Sequence, residues 1–108
     1  MREIKFRAYN KIEKCFFMWD LSFAFGGTGK YWGDVQQFTG LHDKNGKEIY
    51  EGDIIKTGMY HKIIVIEWFE NIAGFIGWSD KREEGCYTIC DEDIEVIGNI
   101  YENPELLK

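Results

Sequence analysis

The sequence predicts a mainly β domain with an N-terminal β-hairpin and at most one short C-terminal helical turn. Three observations carry this. The chain opens on an apolar/charged alternation of period two. Its richest apolar run, "HKIIVIEWF", is built of β-branched and aromatic residues. Turn-forming Gly, Asn and Asp residues separate short apolar segments throughout, and the chain holds 12 glycines and a single proline. Period two sends alternate side chains to opposite faces of a strand, whereas a helix needs 3.6.

In Ile4-Lys5-Phe6-Arg7-Ala8-Tyr9, the residues Ile4, Phe6 and Ala8 share one face. Lys5, Arg7 and Tyr9 share the other, which is expected to face outward. "NKIEK" is a loop with Asn10 starting the turn, and "CFFMWD" returns as the second strand of a hairpin. "SFAFGGTGKYWGD" is a glycine-broken loop. Its "GGTGK" does not complete a phosphate-binding pattern, because Tyr31 stands at the Ser/Thr position and Ala24 where the first glycine belongs.

Gln36 to Leu41 reads as a strand kinked at Gly40. In "DKNG", Asp43 bonds nearby backbone and Gly46 takes the left-handed conformation of a type I turn with a G1 bulge; a type I′ turn on Asn45-Gly46 is the rival geometry. Strands follow at Glu48–Tyr50 and Asp53–Lys56, hinged at Gly52. Glu51 and Asp53 flank that hinge, and no partner nearby in sequence separates their pKa values, so they read as backbone punctuation and not as an acid/base pair.

Lys62–Phe69 carries apolar residues on both faces and belongs in the middle of a sheet. Glu70-Asn71 turns into a strand at Phe75–Trp78, softened by Gly74 and Gly77. "CYTIC" is a further short strand, and Ile94–Tyr101 the last long one. Asn103 and Pro104 suit the start of a single helical turn.

The totals fit one domain, residues 1–108, with 44% hydrophobic and 17% aromatic residues to build a modest core. No apolar run reaches the roughly 20 residues of a membrane span, so no membrane partner is expected. No continuous apolar stretch marks a signal peptide at the start. Three cysteines, Cys15, Cys86 and Cys90, suit reduced thiols in a cytoplasmic setting.

The formal net charge of −6 is unevenly placed. Through Lys56 there are 9 Lys/Arg against 8 Asp/Glu, a balance of +1; from Thr57 onward there are 4 against 11, a balance of −7. An acidic second half repels a polyanion, and only the Lys5/Arg7 face offsets it.

Three blocks, "REIKFRAYN", "QQFTGLHDKNGKEIYEGDII" and "EVIGNIYENPELL", resemble the YopX-like proteins of phages and prophages. They occur in the family's order and cover a little under half the chain. The resemblance implies a small SH3-like barrel and carries over no catalytic residue.

No chemistry-bearing constellation stands out. Cys86 and Cys90 would lie about 13 Å apart along a strand, and a metal site would have to recruit His42 or His61 from elsewhere; small core thiols are the simpler assignment. Cys90 precedes Asp91-Glu92-Asp93, which would raise its thiol pKa. The expectation is therefore no enzyme, no cofactor, no metal and no catalytic residue. Two functions remain. The favoured one is a protein-binding or self-assembling phage accessory module, partnering itself or a phage or host protein through strand edges and aromatics such as Tyr60, Phe75 and Trp78. The alternative is a nucleic-acid-binding barrel using basic and aromatic strand faces.

Overall fold

The computed structural model describes residues 3–20, 30–58, 63–79, 86–87 and 93–107, with the backbone alone at 79, 86 and 87. It is mainly β. Among the described residues, nine strands form two antiparallel sheets. The first holds β1 (Lys5–Asn10), β2 (Cys15–Asp20), β3 (Gln36–His42) and β4 (Glu48–Tyr50) in the order β2-β1-β3-β4. The second holds β5 (Asp53–Thr57), β6 (Ile63–Phe69), β7 (Gly74–Ser79), β8 (Cys86–Tyr87) and β9 (Ile94–Asn99) in the order β8-β7-β6-β5-β9.

The turns explain the order. β1 and β2 pair from Lys5↔Asp20 to Asn10↔Cys15 as the expected hairpin. Its reversal is set by Asn10, whose side-chain oxygen accepts the Ile12 and Glu13 N–H groups at 3.0 and 2.9 Å. Such an Asx turn satisfies backbone donors that a four-residue loop would leave open. β3 and β4 are joined through Asp43 to Gly46. The Gly46 N–H donates to the Asp43 carbonyl, the Asp43 N–H donates to the Lys47 carbonyl, and Gly46 has φ +83°. That pattern is the type I turn with a G1 bulge rather than the two-residue alternative. Gly40, at φ +90°, sits where the β3–β4 register shifts, so the expected kink is present.

The chain crosses from one sheet to the other at Glu51-Gly52. Gly52, at φ +85°, donates its N–H to the Ile66 carbonyl and accepts from the Ile100 N–H, which pins the corner to the second sheet. Glu51 N–H donates back to the Gln37 carbonyl of β3. The expected C-terminal turn is a short 3-10 helix, Pro104–Leu107, and a second 3-10 turn, Glu70–Ile72, links β6 to β7.

The apolar core lies on the second sheet. Ile55, Ile64, Ile66 and Ile94 pack together, and Ile49 reaches them from β4. β6 lies between β5 and β7, and its Ile64, Val65 and Ile66 are all buried, as the two-faced apolar run requires. No helix among the described residues is long and apolar enough to cross a membrane.

Candidate functional site

Two features stand out: a polar seam at the corner between the sheets, and a groove beside it.

The seam begins with a correction. Period two places Arg7 outward with Lys5 and Tyr9, yet Arg7 is only 7% exposed and Tyr9 is also buried. β1 sits inside its sheet, between β2 and β3. Its second face is covered by aromatics, so alternation no longer separates core from solvent. Arg7 Nε donates to Gln36 Oε1 at 2.8 Å, and Nη2 donates to Asp53 Oδ1 at 2.6 Å. The guanidinium also lies 4.2 Å from the Phe16 ring centroid and 4.7 Å from that of Tyr50. A planar, weakly hydrated cation tolerates such a slot where an ammonium would not.

Asp53 is 2% exposed and its other oxygen accepts the Tyr50 N–H at 2.8 Å. Burial pushes its carboxyl above the ordinary value, against the pull of Arg7 and of the Tyr50 N–H. Tyr50 is pushed up to about 12 by burial and the Glu48 charge. Gln36 opens β3 and Asp53 opens β5, so the three polar groups join the two sheets.

Lys5, the other cation of that face, pairs with Glu48 and with Glu3. These partners hold its ammonium above the ordinary pKa. Both basic residues of that strand face are therefore engaged within the molecule.

The groove, about 300 Å3, opens between the start of β3, β6 and the end of β9. Its apolar wall is Val35, Trp68 and Ile100, exposed by 51%, 44% and 37%. Asp34, Glu51 and Glu67 line it as well. Glu51 is held above the ordinary carboxylate range by burial first, with the Asp34 and Glu67 charges adding to the shift. One Glu51 oxygen accepts the Gln37 N–H at 2.9 Å, which fixes the carboxylate at the rim. Asp34 N–H donates to the Tyr101 hydroxyl at 2.8 Å, and Tyr101 stacks on Tyr9 at 5.1 Å.

The residues expected to bind partners fall as follows. Phe75 is partly buried, packs against the isoleucine core and meets Trp68 edge-to-face at 5.2 Å. Trp78 is half-buried and meets Phe69 at 5.8 Å. Tyr60 lies outside the described residues, as do His61 and Cys90 and all of "GGTGK" before Lys30. His42 is exposed and packs edge-to-face on Phe38 at 5.6 Å. Cys15 is an exposed free thiol at the start of β2.

The structure thus brings together residues that sequence reasoning kept apart: Arg7 with Asp53, and Val35 with Trp68 and Ile100. A signal existed for the first pair. Alternation puts Asp53 on the same face as Ile55 and Thr57, both buried, so a carboxylate there needs a cation. The groove had no such signal, because its walls come from three distant segments.

The family model described as "YopX protein" matches residues 19–108. Among solved structures, the crystal structure of protein EF1440 from Enterococcus faecalis is similar over 97% of this chain and 98% of that chain, with a TM-score of 0.65 and 27% identity. No curated protein matches the chain.

Proposed function

Because the chain belongs to the YopX protein family, we propose that it acts as a non-enzymatic β module of phage or prophage origin that works in the host cytoplasm by binding protein, a second copy of itself first among its partners. One observation carries the choice over nucleic acid. The cations on which a basic strand face would depend, Lys5 and Arg7, already hold carboxylates of the same chain. Two free cations would give a slope of log affinity on log salt of only about −1.5 to −2, and with both engaged even that falls away.

Protein surfaces impose no such charge requirement. Large apolar residues stand exposed on several elements, among them Met18 on β2, Val35 before β3 and Trp68 on β6. Apolar area of this kind drives association without net charge. The test is a pair of measurements on one sample at physiological salt: light scattering behind size exclusion for the mass, and mobility-shift titrations with single- and double-stranded DNA. The expected result is a mass above the monomer with no shift. A monomer that binds DNA at micromolar or tighter affinity overturns the proposal.

A further inference from the structure

We infer that the Val35–Trp68–Ile100 groove is the docking site for the β1–β2 hairpin tip of a second copy of this chain, with Ile12 as the apolar anchor and Lys11 and Lys14 facing the groove's carboxylates. The inference rests on the self-association reading above and gives it an address.

The tip has the features of a ligand. Ile12 is 62% exposed, more than any other large apolar side chain among the described residues. It occupies the apex of a four-residue turn, where a polar residue would serve the backbone equally well. Lys11 and Lys14 bracket it, and both are exposed. Lys14 has φ +56°, a left-handed conformation that is uncommon outside glycine and that fixes the shape of the turn.

The groove has the complementary features. It offers three exposed apolar side chains beside Asp34 and Glu51, and the Asp34 charge adds to the burial that holds the Glu51 carboxyl above its ordinary value. A partner ammonium would relieve that repulsion, while an isoleucine would cover Val35 and Trp68. An anionic occupant would worsen it. This favours a basic-apolar segment, and Lys11-Ile12-Glu13-Lys14 is one.

Position adds a third argument. The Lys11 N–H donates to the Tyr31 carbonyl, and the Gly33 N–H donates to the Tyr9 carbonyl. Gly33 precedes Asp34, which is bonded to Tyr101 in the groove wall. The base of the hairpin therefore adjoins the groove. When donor and acceptor patches lie side by side, two copies can exchange tips about a two-fold axis, each contact occurring twice, and the assembly closes.

The experiment compares five purified full-length chains by sedimentation equilibrium over a concentration series: wild type, Ile12→Asp, Lys11→Glu, Asp34→Lys and the double variant Lys11→Glu/Asp34→Lys. Lys11, Ile12 and Asp34 are exposed, and unchanged thermal melts at low concentration confirm that each variant folds. Glu51 is left intact because it caps the Gln37 N–H. The expected result is a dimeric wild type, dimerisation weakened roughly tenfold or more in each single variant, and recovery in the double variant, where the charges are exchanged. A dimer indifferent to Ile12→Asp and Asp34→Lys overturns the docking site and leaves self-association standing. Weakening without recovery in the double variant overturns the pairing of tip with groove. A monomeric wild type overturns the inference outright, and DNA binding by that monomer would overturn the function proposed above with it.

Discussion

The corner seam and the isoleucine core are buried to the same degree by opposite means. In the core, Ile55, Ile64 and Ile66 are each 0–1% exposed and pack with Ile49 and Ile94. In the seam, Arg7 and Asp53 are nearly as buried but hold each other and Gln36. Apolar burial stabilises in proportion to area and tolerates small errors of position. A buried ion pair loses hydration on both sides, and Asp53 shows it: its carboxyl remains harder to ionise than usual even with Arg7 in contact. The core therefore supplies stability, while the seam selects one arrangement of the two sheets, because only one places Arg7, Gln36 and Asp53 within bonding distance.

Substitutions test that contrast, beginning with the largest effect. Asp53→Ala should destabilise by about 3–5 kcal/mol, since it strands a buried guanidinium. In chemical denaturation, an apolar double replacement, Arg7→Met with Asp53→Leu, should recover most of that loss. A double variant as unstable as the single would show that the seam stabilises in its own right and would break the comparison. Ile66→Ala should cost about 3 kcal/mol, the transfer of a buried side chain plus a residual cavity. No second substitution in the polar seam should restore it.

Asp43 supplies a pH-dependent case. Burial pushes its carboxyl up, but N–H donors from Val96, Lys47 and Asn45 outweigh this and leave it below the ordinary value. The folded state then binds its proton less readily than the unfolded chain, so the contribution is present above the unfolded pKa of about 4 and is lost as pH falls through the lower folded value. Asp43→Ala should cost on the order of 2–3 kcal/mol at neutral pH, and the gap to wild type should close in denaturation measured toward pH 2. A gap that stays constant with pH would show that the Asp43 side chain stabilises the turn by something other than its ionised carboxylate.

The smallest effect is expected at Gly46. A Cβ there meets nothing within 4 Å, so Gly46→Val should cost chiefly the left-handed backbone strain, roughly 1–2 kcal/mol. Gly52→Val should cost more by thermal unfolding, because a Cβ at that corner would also run into the Gln36 amide. Equal costs would remove Gln36 from the seam.

The same contrast explains what could be read in advance. The strands at Glu48–Tyr50 and Asp53–Lys56 (the latter extending to Thr57 in the structure), the turn at Gly46 and the central place of β6 all follow from patterns a few residues long. Such patterns reflect local backbone sterics and face-to-face alternation, which neighbours in sequence determine. Arg7 and Asp53 are 46 residues apart, so alternation alone sent Arg7 to the solvent. Period two assigns a face but not what covers it, and here Phe16 and Tyr50 cover it. The groove was hidden for the same reason: Val35, Trp68 and Ile100 belong to three segments far apart in sequence, and no local pattern marks them as one wall.

The Asp43 turn has a consequence for solubility. Its second oxygen accepts the Val96 N–H at 3.0 Å, and the Lys44 N–H donates to the Ile94 carbonyl at 2.9 Å. Lys44 also reaches Asp93 and Glu95 at 3.3 and 3.4 Å. β9 ends the second sheet, and a terminal strand with open N–H and C=O groups is a template on which further chains can stack. Here a turn from the other sheet occupies those groups and sets a charged side chain across them. Loss of the Asp43 side chain would bare the Val96 donor, and the defect should appear in cells as more insoluble protein than an equally destabilising core substitution produces.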